Sequence, residues 1–146
     1  MKNHILLMMF GVLCVFCAAC GSESQWTPEE KLNFNHFLNA QNAGAAAVRL
    51  STPGMPSSAI SPNTSNEILQ LMKKALEEAQ TTRDEVLAKA HPDLPEHFRR
   101  EFQRGLELQI RNLEVGDASA ELEGSSLQYK WIYWINSHNS DIKVPN

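Results

Sequence analysis

Four segments of the chain repeat apolar residues at the three- and four-residue spacing of amphipathic helices. The clearest follows Thr64-Ser65-Asn66-Glu67, which has the pattern of a helix-capping box, and it ends before His91-Pro92. Charged residues occupy the opposite positions. The predicted buried face consists of Ile68, Met72, Ala75, Leu76, Ala79, Val86, Leu87 and Ala90. An aspartate at Leu76 is therefore expected to unfold the domain.

A first helix is predicted upstream, from Pro28 to about Val48. Thr27-Pro28-Glu29-Glu30 is another capping box, with proline at a favoured first position. Its apolar face is looser and comprises Leu32, Phe34, Phe37, Leu38, Ala45 and Val48. Three prolines and Gly54 predict an irregular connection over 51–63. We interpret this connection as a surface crossover pinned by Met55 and Ile60, with a recognition surface as the alternative.

Two further helices complete the pattern. Asp93-Leu94-Pro95-Glu96 predicts the start of the third, and Gly116 predicts its end. Its apolar stripe consists of Leu94, Phe98, Phe102, Leu106, Ile110 and Leu113. The fourth begins near Asp117, is weak through Gly124-Ser125-Ser126 and strengthens from Leu127. The ending, with Ile142, Val144 and Pro145, suggests a short extended tail packed on the bundle.

These segments predict an all-α fold, a small bundle of about four helices in a single domain over residues 28–146. The sequence shows no convincing strand-like alternation of apolar and polar residues and no convincing internal repeat. Residues 20–27 are small and polar for the most part, and we interpret them as a short tether. Residues 1–19, which precede the tether, are mostly apolar.

The N-terminus has the organisation of an export signal. Lys2 and His4 precede an uncharged apolar run, Ile5–Ala19, which is shorter than the roughly 20 residues of a spanning helix. Small residues must precede a cleavage site. Of the three cysteines, only Cys20 directly follows two small residues, Ala18 and Ala19. We therefore predict cleavage after residue 19.

The run Cys17-Ala18-Ala19-Cys20 resembles the lipobox of bacterial lipoproteins, although Cys17 stands where leucine is most common. The resemblance covers residues 1–21 only. It implies that the Cys20 thiol carries diacylglycerol, that the new amine is acylated, and that these chains anchor the protein to the membrane. Gly21, in place of aspartate, implies sorting to the outer membrane. An ordinary cleaved signal peptide and an uncleaved anchor are the alternatives.

Charge and cysteine content narrow the functional classes. Without residues 1–19 the chain has 12 Lys/Arg against 17 Asp/Glu and no basic patch, which argues against nucleic acid as a partner. Cys20 would be the one remaining cysteine, so neither a disulfide nor a cysteine zinc site is expected. Stability must then come from an apolar core.

Catalytic patterns are not recognisable, and we predict neither an enzyme nor a cofactor. The carboxylate pairs lie on solvated helix positions, and no serine stands in a nucleophile motif. His91, Asp93 and His97 are close in sequence and could bind a metal. We interpret them instead as a helix-end residue, a helix cap and a first-turn surface residue, and predict no metal site.

The segment 129–135 concentrates both tyrosines and two of the three tryptophans. A helix has one core face, which Trp131, Trp134 and Ile135 can fill, leaving Ile132 and Tyr133 beside it. Exposed aromatic residues mark binding surfaces. We therefore name Trp131, Ile132, Tyr133 and Trp134 as candidate partner-binding residues, the alternative being that all are core. The arginines of the third helix (Arg99, Arg100, Arg104 and Arg111) are interpreted as local ion pairs, with an acidic partner or anionic glycan as the alternative.

These features predict a non-catalytic envelope lipoprotein, anchored to the membrane through lipid on Cys20, that binds a protein partner in envelope assembly or secretion. Two alternatives stay open. One is a protective lipoprotein acting against a toxin, a phage or a transfer apparatus. The other is a glycan-binding or hydrolase accessory.

Overall fold

The fold is all-α, as predicted, and the part of the chain described by the computed structural model, residues 26–51 and 61–145, contains no strand. Cys20 with its lipobox, and Met55 and Ile60 of the predicted crossover, lie outside these residues. We number five helices: α1 Pro28–Leu50, α2 Pro62–Thr81, α3 Asp84–Ala90, α4 with three consecutive segments Leu94–His97, Phe98–Gln103 and Arg104–Val115, and α5 Ala118–His138.

The start of α1 is the capping box that the sequence predicts. Thr27 accepts from the backbone N–H of Glu30, and the Glu30 carboxylate accepts from that of Thr27 at 2.7 Å. Glu30 also pairs with Lys89, 2.7 Å away. The hydrogen bonds from Lys89 and Thr27 hold the pKa of Glu30 below its ordinary value. Trp26, placed in the tether by the sequence, packs on Phe34 with ring centroids 5.5 Å apart, so folded structure begins before Pro28.

The buried face of α1 differs from the prediction. Leu32 is exposed, whereas the face that packs on the rest of the bundle is formed mainly by small residues and two phenylalanines: Asn33, Phe34, Phe37, Ala40, Ala43, Gly44 and Ala47. Small side chains let helices approach closely; a Cβ on Gly44 would lie 3.3 Å from the Phe102 ring. Spacing alone favoured the larger Leu32 because it could not weigh this close approach.

Two predictions about α2 are wrong. It begins three residues earlier than expected, with Ser61 as the cap and Pro62 at the first helical position. It also ends at Thr81, where a continuous helix to Ala90 was predicted. Leu76 lies only partly buried at the edge of the core, so an aspartate there could escape to solvent, and unfolding no longer follows.

The break after α2 is closed by side chains from other helices. Asn33 of α1 donates to the Thr81 carbonyl at 3.0 Å and accepts from the Arg83 N–H at 2.8 Å. Arg99 of α4 donates to the carbonyls of Ala79, at 2.7 Å, and Thr82. Backbone groups that would otherwise lose their helical partners are thus satisfied by tertiary contacts.

The middle of α4, Phe98–Gln103, is a π segment. The apolar stripe of this helix recurs at every fourth position, from Leu94 through Phe98, Phe102 and Leu106 to Ile110, and all five are buried. In a regular α-helix such a stripe would drift around the axis by about 40° per step. The wider π turn reduces this drift and keeps the stripe facing the core. At its start, Asp93 makes no side-chain cap, contrary to the prediction.

Helix α4 ends at Gly116, whose φ of 71° is the left-handed conformation that glycine adopts most easily. Helix α5 begins next to Asp117, as predicted, and Asp117 caps it through the N–H groups of Ser119 and Ala120. The Ser119 hydroxyl and the Ala120 N–H lower the pKa of Asp117. Helix α5 is continuous through 124–126, where the sequence signal is weak.

The core is centred on aromatic rings from three helices. Trp131 of α5, 2% exposed, contacts Phe37, Phe98 and Phe102 at centroid separations of 6.5, 5.8 and 5.6 Å. The tail packs back as predicted, because Ile142 is buried and the Lys143 N–H donates to the carbonyl of Ala90.

Candidate interaction surface

The four candidate residues of α5 divide between the core and the surface. Trp131 and Trp134 are 2% and 8% exposed, and Ile132 is partly buried. Tyr133 is 78% exposed. This is the orientation that a single core face predicts. Only Ile132 and Tyr133 are therefore placed to touch a partner directly.

The outer side of α5 carries more apolar surface than the sequence reasoning found. Leu122 is 76% exposed and Tyr129 is 67% exposed, and they align with Ser126 and Tyr133 at spacings of four, three and four. We call Leu122, Ser126, Tyr129 and Tyr133 the α5 stripe. Leu122 lies outside the aromatic segment 129–135 that indicated the surface, although its helical spacing from Tyr129 is visible in the sequence.

The stripe faces outward because α5 packs on α4 through its opposite side. At the crossing, Gly105 and Gly124 bring the backbones together, and a Cβ on Gly124 would lie 3.2 Å from the Gly105 carbonyl oxygen. Gln109 of α4 donates to the Ser125 hydroxyl at 2.9 Å. This contact fixes the rotation of α5 about its axis and so determines which residues reach solvent.

A cluster of rings surrounds Trp134 at the inner edge of α5. His97 and His138 stack on it at centroid distances of 4.5 and 4.7 Å, and His91 meets it edge-on at 5.4 Å. His138 contacts the Trp134 carbonyl oxygen through Nδ1, and His91 Nδ1 accepts from the Asp93 N–H. The histidines thus hold the C-terminal turns of α5 against the junction of α3 and α4.

Three of the four arginines predicted to form local ion pairs do so, whereas Arg99 pairs with Asp84 of α3. Arg100 pairs with Glu96 and Glu101, Arg104 with Glu107, and Arg111 with Asp117. The hydrogen bond with Glu101 raises the pKa of Arg100. These cations are neutralised within the bundle, so they do not form a free basic surface.

Two shallow, open grooves lie between α1 and α2. The larger, about 520 Å³, is lined by mixed charges that include His36, Lys73, Glu77 and Glu78. His36 and Glu78 pair with each other at 2.6 Å. Within residues 26–51 and 61–145, no three or more of His, Cys, Asp and Glu are grouped to hold a metal, and no helix has the length and apolarity to span a membrane.

No family model, curated protein or solved structure matches this chain.

Proposed function

We propose that this protein is a lipid-anchored envelope lipoprotein that works without catalysis, as a helical module whose α5 surface binds another protein. The anchor is the lipid on Cys20 implied by the lipobox, with the outer membrane as its location. The contact is made by the α5 stripe together with Ile132. Envelope assembly or secretion is the process we propose for it.

The observation that carries the binding proposal is the exposure of Leu122, Tyr129 and Tyr133 along one line of one helix. Buried residues stabilise a bundle, but these three side chains contribute almost nothing to its core. Large aromatic residues supply much contact area for little loss of conformational entropy, which is why they dominate binding hot spots. A surface of this kind supports binding by contact area more than by charge.

Photocrosslinking in intact cells tests the surface. A photoreactive residue at Ser126, in the middle of the stripe, should capture a discrete partner, and Leu122→Asp or Tyr133→Asp in the same chain should abolish the product. Both substituted side chains are exposed, so the fold is expected to persist. The same photoreactive residue at Gln80, an exposed position on α2, is the matched control. Identical products from positions 126 and 80 would contradict the proposal.

The anchor is tested separately. A Cys20→Ala chain should remain at its unprocessed length and lose labelling by a fatty-acid analogue. The reason is that in bacterial lipoproteins, which this segment resembles, the cysteine thiol accepts the lipid. Cys17→Ala should be processed and labelled like the wild type and serves as the control. Normal maturation and labelling of the Cys20→Ala chain would refute the lipid anchor.

A further inference from the structure

The α5 stripe is bordered on one side by two opposite charges. Each helical residue turns about 100° and rises about 1.5 Å, so Glu123 and Lys130, seven positions apart, lie on the same side of the stripe about 10 Å from each other. Both are exposed. Within residues 26–51 and 61–145 neither has an ion pair, whereas Glu107 and Arg111 of α4 are both paired. The border of the stripe thus carries one unpaired charge of each sign.

Such a surface is self-complementary under a two-fold axis. In an isologous contact, residue i of one copy meets residue j of the other and j meets i. If two copies of α5 pack antiparallel with Glu123 at the level of Lys130, the axis passes between positions 126 and 127. Each dimer then has two Glu123–Lys130 pairs, one at either side of the crossing.

The same register also fits the apolar residues. Leu122 of one copy falls at the level of position 131 of the other, midway between Tyr129 and Tyr133. Ser126 lies beside the axis, where its small side chain lets the two helices approach. A parallel two-fold pairing would instead put the charged flanks of the two copies on opposite sides of the contact, where no Glu123–Lys130 pair forms between them. The charges therefore select the antiparallel arrangement.

From this charge and shape complementarity we infer that a second copy of this chain docks on the α5 stripe, as an antiparallel two-fold dimer. The inference rests on the proposed function and names the partner of the same surface. The contact extends over about 16 Å of one helix, so it buries less area than a standard protein–protein interface. The dimer is therefore weak in dilute solution. Confinement of both copies to one membrane raises their effective concentration and favours the dimer.

Disulfide trapping in cells measures this dimer directly. Ser126→Cys places a thiol beside the axis in each copy of the full chain, and mild oxidation should give a disulfide-linked dimer. The wild-type chain, with its own three cysteines, and Asn66→Cys, at an exposed position of α2, are the controls. A dimer yield at Ser126→Cys no greater than at Asn66→Cys would overturn the inference.

Charge reversal tests the register. In the Ser126→Cys background, Glu123→Lys or Lys130→Glu alone creates two like-charge contacts per dimer and should lower the dimer yield several-fold. The double reversal restores both pairs and should recover most of the yield. In a parallel dimer, the single and double reversals would give the same yield of disulfide-linked dimer. Equal yields would therefore also overturn the inference.

Failure of the dimer can be told apart from failure of the proposed function. A different protein captured from Ser126 by photocrosslinking, together with no disulfide-linked dimer, would overturn the self-pairing and leave the binding surface in place. If the fold is intact and neither a photocrosslinked protein nor a disulfide-linked dimer is obtained, both the binding surface and the self-pairing are overturned.

Discussion

The indole N–H of Trp131 on α5 donates a hydrogen bond to Oε1 of Gln41 on α1, with 3.2 Å between the two atoms and 90 positions of sequence between the residues. The bond lies at the edge of the aromatic core, where the indole ring is 2% exposed. It gives the largest core side chain a partner for its one polar group, and it ties the last helix to the first.

Gln41→Ala is expected to lower the free energy of unfolding by about 1–3 kcal/mol, because it leaves the buried Trp131 N–H without an acceptor. Urea denaturation followed by circular dichroism measures it. Asn42→Ala, at the exposed neighbouring position, should change stability by less than about 0.5 kcal/mol. A double-mutant cycle with Trp131→Phe isolates the bond, and zero coupling would contradict its contribution.

Arg99→Ala is expected to destabilise the protein by about 1.5–3 kcal/mol, since hydrogen bonds to a charged group exceed ordinary ones. The guanidinium donates to the carbonyls of Ala79 and Thr82 and pairs with Asp84, so its loss opens the break between α2 and α3. Hydrogen exchange should quicken around 79–84. Arg104→Ala, which removes a more exposed arginine that pairs with Glu107, should cost less than about 1 kcal/mol. Equal costs for the two variants would contradict this role.

Gly124→Ala should destabilise the protein, although alanine is the better helix former by about 1 kcal/mol. Its Cβ would lie 3.1 Å from Leu108 Cβ and 3.2 Å from the Gly105 carbonyl oxygen, so α4 and α5 must separate. We expect a net loss of about 1–2 kcal/mol in thermal or urea unfolding. Ser126→Ala, on the exposed side, should be neutral or slightly stabilising. A stabilised Gly124→Ala protein would show that the crossing is looser than the contacts imply.

The contribution of Glu30 to stability should depend on pH. Its pKa in the folded state is lowered, chiefly by the hydrogen bond from Lys89, so the ionised carboxylate favours the folded form. This stability is present above the unfolded pKa of about 4.3 and is lost as pH falls through the lower folded value. The stability difference between wild type and Glu30→Gln should therefore shrink as pH is lowered from 7 to 3. A difference that does not vary with pH would contradict the linkage.

Local signals in the sequence predicted the features that one helical turn can settle. The Thr27 capping box, the stop at Gly116, the start of α5 near Asp117 and the α4 stripe all lie where the pattern placed them. The candidate surface was found in part. Tyr133 points outward as one core face requires, whereas Leu122 was overlooked, and the binding role of both stays a prediction.

The sequence by itself determined an all-α bundle and most of its helix ends, because caps and periodicity act between residues a few positions apart. Only the tertiary structure decided where α2 breaks, because Asn33 and Arg99 reach that point from other helices. It also decided which face of α1 is buried and how α5 is rotated. These depend on how closely backbones approach at Gly44 and at the Gly105–Gly124 crossing, and such distances join residues far apart in the chain.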